Sequence, residues 1–220
     1  MDCIYLSAGL GIRLKEKKPK QFITLLGKPI FIYALEVLER VDEVEKILLM
    51  FHPDYRRMYE KYITDYNLSK IELVEGGRTR QESVWNGLQK VKSRRVLIHE
   101  AARPFISKEF LLELLAYNEP AVVPTIPIPF SVAGGEAYME RELERSKLHN
   151  IQLPQLFDTD VLRRAHQKAR QENFIAFEDG VLVFRLGEKV RFVVGLENNI
   201  KITTPLDLVI AESLLKGVYQ

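Results

Sequence analysis

The segment Ser7-Ala8-Gly9-Leu10-Gly11-Ile12-Arg13 and the nearby Pro19-Lys20-Gln21-Phe22 combine residue types suited to polyphosphate chemistry. Small residues let backbone N–H groups approach a phosphate chain closely. Arg13 and Lys20 would neutralise the roughly four negative charges of a nucleoside triphosphate, together with the charge that develops when a second phosphate attacks it. By composition alone RLKEKKPKQF is a solvated surface loop; its position behind the glycines gives it a chemical reading. Two phosphate-binding motifs are excluded. The third glycine and immediate helix of the dinucleotide fingerprint are missing, and Gly27-Lys28 is followed by Pro29, where a P-loop has Ser or Thr.

Other blocks carry candidate chemistry. Gly76-Gly77-Arg78-Thr79-Arg80-Gln81-Glu82-Ser83-Val84 has the glycines of a strand-to-helix turn, with Trp85 following as core packing. Glu100 in His99-Glu100-Ala101-Ala102-Arg103-Pro104 is a carboxylate at a strand end, suited to ribose hydroxyls or to a magnesium shell. His99 has no spaced partner among His52, His149 and His166 and reads as structural. Cys3 is the single cysteine, which excludes an intrachain disulfide and a cysteine-rich zinc site and predicts an inert core thiol. Arg145, taken alone, is one more charge in a solvated run.

Each motif falls where a β-prone run gives way to a loop. Residues 2–7 (DCIYLS) end at the first glycines. From Pro29 to about Val41, Ile30, Ile32, Leu35, Leu38 and Val41 recur at helical spacing. Lys46–Phe51 is a continuous apolar run, the mark of a buried parallel strand. The alternation continues with a helix over Tyr55–Tyr66, a strand over Lys70–Val74 and a helix over Arg80–Val91. A strand over Arg95–His99, a helix over Lys108–Ala116 and a strand over Ala121–Pro124 follow. Beyond an interruption come a helix over Thr159–Gln171 capped by Asp or Thr, a strand over Arg191–Val194 and an amphipathic helix over Pro205–Leu215. This pattern predicts an α/β fold with a mostly parallel twisted sheet and helices on both faces, in one domain spanning 1–220. The interruption runs from about Thr125 to Asn150, where prolines lead to Gly134-Gly135 and the charged MERELERSK; it reads as either a helix or a projecting arm.

Bulk properties narrow the function. The 220 residues, 46% hydrophobic and 28% charged, suffice for one large α/β domain. Lys and Arg total 32 against 30 acids, a net charge of +2, without the basic excess of a non-specific nucleic-acid binder. No apolar run reaches the roughly 20 residues of a membrane span, and the N-terminus lacks the pattern of a secretory signal. The expectation is a soluble cytoplasmic protein.

SAGLGIRL, PKQF and GKPI together are similar to the opening of nucleotidyltransferases that activate sugars and sugar alcohols. PKQF in particular resembles the 2-C-methyl-D-erythritol 4-phosphate cytidylyltransferases of the non-mevalonate isoprenoid pathway. The resemblance implies a Rossmann-like nucleotidyltransferase fold, CTP as donor, a sugar-alcohol phosphate as acceptor and Mg²⁺ as cofactor. It makes Arg13 and Lys20 catalytic at the α-phosphate. It assigns nucleotide binding to Ser7, Ala8, Gly9, Gly11, Gly77, Arg80, Ser83, Glu100 and Ala101, with the GGxxRxxSV block closing on cytosine. Glu100 stands where the family has aspartate, and it would meet the ribose or, through water, the metal. IQLPQLF resembles the family's QTPQxF, with Leu153 for threonine. The resemblance places Arg145 on an arm at about 125–150 that crosses to a partner subunit in a homodimer and grips the acceptor phosphate. GLENNIKITTPLDL resembles the closing block, with Leu206 for glutamate, and makes Lys201 the group that holds the acceptor phosphate in line. The Asp-Thr pair that the family carries after Val-Pro is absent from Pro124-Thr125-Ile126-Pro127-Ile128. Ala101-Ala102-Arg103-Pro104 favours this family over ribitol 5-phosphate cytidylyltransferases, and Arg13, Lys20, Arg145 and Lys201 together favour an enzyme over a non-catalytic nucleotide-binding regulator.

Overall fold

The computed structural model describes residues 1–9 and 19–217. Along the chain these form β1 (Asp2–Leu6), a short hairpin of β2 (Thr24–Leu25) and β3 (Lys28–Pro29), α1 (Ile30–Glu39), β4 (Lys46–Phe51), α2 (Arg56–Asp65) and β5 (Ile71–Glu75). Then come α3 (Arg80–Leu88), β6 (Arg95–Glu100), α4 (Lys108–Leu115), β7 (Ala121–Pro127), β8 (Ala133–Gly134), β9 (Arg141–Glu142), β10 (His149–Ile151) and β11 (Gln155–Asp158). The chain closes with α5 (Thr159–Gln171), α6 (Asp179–Leu186), β12 (Arg191–Val194) and α7 (Pro205–Leu215).

The apolar runs of β1, β4 and β6 are buried on both faces, as parallel central strands require. Alternate side chains feed two layers. Cys3, Tyr5, Ile47, Leu49 and Leu97 pack with Phe31 and Leu35 of α1, Tyr59 of α2 and Leu111 of α4. Ile4, Leu48, Met50, Val96 and Ile98 pack with Val84 of α3, Leu162 of α5 and Leu182 of α6. The order β6-β1-β4-β5 is parallel throughout, so the chain switches sides of β1 after β5. Such a switch opens a ligand crevice at the carboxyl ends of the strands.

Residues 149–158 supply the reversed strand. β11 pairs antiparallel with β6 and β7, and β10 pairs antiparallel with the far end of β7. Val122 faces Leu156 on one side and Arg191 on the other, so β12 forms the edge beyond β7.

β7 continues to Pro127, past the expected end at Pro124. Proline lacks an N–H, but Pro124 sits where the β10–β11 strand is interrupted, and its carbonyl still accepts from Gln152 N at 2.8 Å. The arm therefore spans 128–148. MERELERSK forms no α-helix: it holds β9 and a 3₁₀ turn over Arg145–Lys147, nearly all exposed, with no apolar stripe to bury. α6 was not legible from periodicity, because DGVLVFRL is short and almost continuously apolar. α7 has the expected bounds, but Leu206, Val209 and Ile210 face outward, so it is apolar on both sides where an amphipathic helix was expected. No helix among the described residues is long and apolar enough to cross a membrane.

Candidate active site

At the end of β1, Ser7 N donates to Met50 O at 3.0 Å and carries the pairing one step past the strand. Ser7 Oγ lies 2.8 Å from the Tyr59 hydroxyl, which donates to Ser7 O at 2.7 Å. Gln21 Nε2 donates to the same carbonyl at 2.8 Å and to Tyr59 at 3.1 Å. Burial pushes the Tyr59 phenol up to about 12, against the hydrogen bonds from Ser7 and Gln21. This buried hub fixes the 3₁₀ turn Lys20–Phe22 beside Ser7 and so positions Lys20.

Across the crevice, the turn after β5 presses on the same place. A Cβ on Gly76 would lie 2.4 Å from Ala8 Cβ, a contact that only glycine permits. Ser83 Oγ accepts from Gly77 N at 2.9 Å and donates to Thr79 O at 2.9 Å, and Thr79 caps α3 by accepting from Glu82 N. Ser7, Ala8, Gly77 and Ser83 are thus brought together. Gly9 is exposed at the rim.

β6 delivers Glu100, buried among cations. Lys201 Nζ stands 2.8 Å from Oε2, and Arg103 Nε 3.1 Å from Oε1. Burial raises the Glu100 carboxyl, but Lys201, Arg103 and Arg80 outweigh it and hold the group below its ordinary range. Lys20 Nζ donates to Ile202 O at 3.3 Å, which brings the two lysines to one loop. That loop is built by backbone capture. Ile202 N donates to Ala102 O at 2.8 Å, Arg103 Nη1 to Asn199 O at 2.7 Å, and Asn199 Nδ2 to Leu153 O at 2.6 Å. Gln152 grips Leu196 from both sides, donating to its O at 2.8 Å and accepting from its N at 3.0 Å. Ala101 N donates to Leu6 O at 2.9 Å, which locks the ends of β6 and β1 together.

Arg80 turns into the protein. Its Nη2 stands 2.7 Å from Asp179 Oδ2 and 3.3 Å from Glu178 Oε2. Asp179 Oδ1 is 3.0 Å from His166 Nε2. Burial opposes ionisation of Asp179, but Arg80 and His166 hold its carboxyl at about 2. Trp85, expected in the core, is half-buried, with its ring nearly parallel to that of His166 and the Arg170 guanidinium over it. His99 is fully buried with Nε2 2.9 Å from Arg103 O, the structural role expected of it, and burial pulls its imidazole down to about 4. Cys3 is buried and free, and burial pushes its thiol up.

Arg145 lies on the exposed arm, where Nη1 donates to Pro129 O at 3.3 Å. Gly11 and Arg13 lie outside the described residues. Thr125, next to the missing Asp-Thr pair, is buried in β7 with Oγ1 3.2 Å from His149 Nδ1. Sequence reasoning missed Arg103, although an arginine beside proline just after the acidic strand end was in view. It also missed Tyr59 and the Glu178-Asp179 pair, and gave no role of their own to Gly76 and Gln155 within the blocks that contain them, because their partners are too distant in the chain for spacing to reveal. Among the described residues no group of three or more His, Cys, Asp or Glu side chains is placed to hold a metal ion.

Residues 1–217 match the profile of the IspD family, 2-C-methyl-D-erythritol 4-phosphate cytidylyltransferase. The chain belongs to that family. A 2-C-methyl-D-erythritol 4-phosphate cytidylyltransferase of Geobacillus kaustophilus is 35% identical over 219 residues, covering 97% of this chain and 96% of the relative. One from Dictyoglomus thermophilum is 38% identical over 221 residues, covering 96% and 95%. The crystal structure of 4-diphosphocytidyl-2C-methyl-D-erythritol synthase from Anaerococcus prevotii superposes with a TM-score of 0.86 at 29% identity, covering 98% of this chain and 95% of that one. The architecture is accordingly the α/β nucleotidyltransferase fold, and the chain is a cytidylyltransferase by family.

Proposed function

We propose that this chain transfers the cytidylyl group of CTP to 2-C-methyl-D-erythritol 4-phosphate in isoprenoid precursor synthesis. The products are 4-diphosphocytidyl-2-C-methyl-D-erythritol and pyrophosphate. The observation that carries this reading is the meeting of Lys20, Lys201 and Glu100 at the carboxyl ends of β1 and β6, opposite the Gly76–Ser83 turn. The turn and Ala8 would hold the cytosine edge, with Glu100 and Ala101 toward the ribose. Lys201 would take the acceptor phosphate and align it with the α-phosphorus. An acceptor oxygen then bonds to that phosphorus as its bond to the bridging oxygen breaks, and pyrophosphate leaves with the electron pair. The acceptor phosphate is already ionised near neutral pH, so no general base is required. Lys20 and Arg13 would stabilise the charge that accumulates in between.

A magnesium ion would arrive on the triphosphate and be held chiefly by its oxygens, because Glu100, already shared between Lys201 and Arg103, could meet it only through water. Such an ion would spread the charge of the phosphate oxygens. The reading also assigns the enzyme to the cytoplasm and to a homodimer in which Arg145 of the 128–148 arm serves the neighbouring site. Support for the dimer comes from the polar contacts of residues 129–147, which among the described residues stay within the arm, and from its exposed Phe130, Tyr138 and Met139.

The test is pyrophosphate release with Mg²⁺, each of CTP, UTP, ATP and GTP, and either methylerythritol phosphate or ribitol 5-phosphate. CTP with methylerythritol phosphate should be turned over far faster than any other pairing, since a wrong base leaves buried polar groups unpaired. Equal turnover of UTP would refute the cytosine assignment, and preference for ribitol 5-phosphate the acceptor.

A further inference from the structure

Glu178 is the N-cap residue of α6 and has no part in the chemistry described above. Its Oε2 is held from two sides, by Arg80 Nη2 at 3.3 Å and Gln155 Nε2 at 3.1 Å. Arg80 is in turn fixed by Asp179 at 2.7 Å, and Asp179 by the buried His166. Gln155 is fully buried in β11, in register with Ile98 two residues before the end of β6. Three elements therefore orient one carboxyl group. Its other oxygen, Oε1, makes no hydrogen bond among the described residues, and the side chain keeps 20% of its surface exposed. Gln155 Oε1 and Arg80 Nε are buried without hydrogen-bond partners among the described residues, polar capacity that nothing there uses.

The position of this carboxyl group relative to the site follows from strand direction. On β6, Val96 and Ile98 face the layer containing α3, α5 and α6, and Glu100 continues that alternation. Glu178 and Arg80 belong to α6 and α3 of the same layer. Burial, helped by Asp179 and Glu100, raises the Glu178 carboxyl above its ordinary range against the opposing charges of Arg80 and Lys201. Glu100, with Lys201 paired to it, and Glu178, held by Gln155, therefore lie in one layer near the carboxyl end of β6, a cation for a phosphate and a carboxylate for hydroxyl groups.

We propose that Glu178 is a specificity-determining residue that accepts a hydrogen bond from a hydroxyl of the polyol chain while Lys201 holds the phosphate of the same acceptor. Arg80, Asp179, His166 and Gln155 are the positioning residues behind it. A carboxylate held by two donors on one oxygen presents the other in a fixed direction. A hydroxyl donated to an ionised acceptor makes one of the stronger hydrogen bonds available to a sugar alcohol. The proposal rests on the reading of the chain as a polyol-phosphate cytidylyltransferase.

The experiment compares wild type with Glu178→Gln and Glu178→Ala, on the acceptor that wild type prefers and on its singly deoxygenated analogues. Wild-type pyrophosphate release is measured first, so failure of the functional reading shows there, before any variant is examined. Glu178→Gln, which keeps the shape and a weaker acceptor, should raise the acceptor KM about 10-fold, and Glu178→Ala roughly 10- to 100-fold. The KM for CTP should stay within about twofold in both, because the carboxylate contacts the acceptor alone. On one deoxy analogue the substitutions should have no further effect, the non-additivity expected when the two changes remove the same hydrogen bond. A merely structural role would lower activity on every acceptor alike. An unchanged acceptor KM in a folded Glu178→Gln, or an equal loss on all analogues, overturns the proposal.

Discussion

Lys201 Nζ and Glu100 Oε2 form a 2.8 Å ion pair at the base of the crevice, joining the loop after β12 to the end of β6. The carboxylate is shared with Arg103, so loss of Lys201 leaves Glu100 one cation short without leaving it unpaired. Lys201→Ala should therefore fold, and should raise the KM for the sugar-alcohol phosphate by about 10-fold or more, the scale of a lost charge-assisted hydrogen bond. CTP affinity should change little. Steady-state kinetics with each substrate varied in turn checks this.

Lys20 differs from Lys201 in what it meets. On the proposed function its contacts would strengthen as charge builds at the α-phosphate, so Lys20→Ala should lower kcat by about 10²–10³-fold, as loss of one such donor typically does. Arg13→Ala should behave alike. Single-turnover rates at saturating substrate provide the measurement, and a near-normal kcat in Lys20→Ala would remove it from the transition state.

Arg145→Ala and Lys20→Ala should each be inactive alone. If the arm serves the neighbouring subunit, mixing them should restore activity, since a heterodimer holds one site with both residues intact. Random exchange gives roughly a quarter of wild-type activity as the ceiling. Demonstrated subunit exchange without recovery would assign Arg145 to its own chain or to no site.

His99 predicts a pH dependence of stability. Its folded pKa, about 4, lies below the ordinary 6.5, so the unfolded chain binds the proton first. Stability is intact above about pH 6.5 and falls as pH drops toward 4, by about 3 kcal/mol in all from this group. Urea unfolding at pH 7 and pH 4.5 should show the loss. A His99→Gln variant, less stable at pH 7, should show a smaller difference between the two.

Much of the fold was legible because its central strands are continuous apolar runs and several of its helices carry a 3.6 period. Lys46–Phe51, Thr159–Gln171, Arg191–Val194 and Pro205–Leu215 form the elements expected of them. α6 and the 149–158 strand were not, since short apolar or proline-broken segments have no decisive period. For the candidate site, motifs near strand ends pointed to Ser7, Lys20 and Glu100, and the family resemblance to Lys201; one crevice brings the four together. The network around Arg80 was invisible for another reason. Arg80, Gln155, His166 and Glu178 meet through tertiary packing of three helices and a strand, and no local spacing encodes that.

The reversed strand has a topological effect on the arm. β7 reaches the carboxyl end of the sheet at Pro127, and His149 stands opposite Pro127 in the ladder. The excursion of 128–148 therefore leaves and re-enters the sheet at one rung, on neighbouring strands, at the end where the substrates would bind. A parallel return strand would have had to begin at the far end, and the same residues would have been consumed in crossing the sheet. Because residues 149–158 run backwards, the whole excursion is free to extend outward from the crevice. Its length can then vary without altering a single pairing in the sheet beneath it.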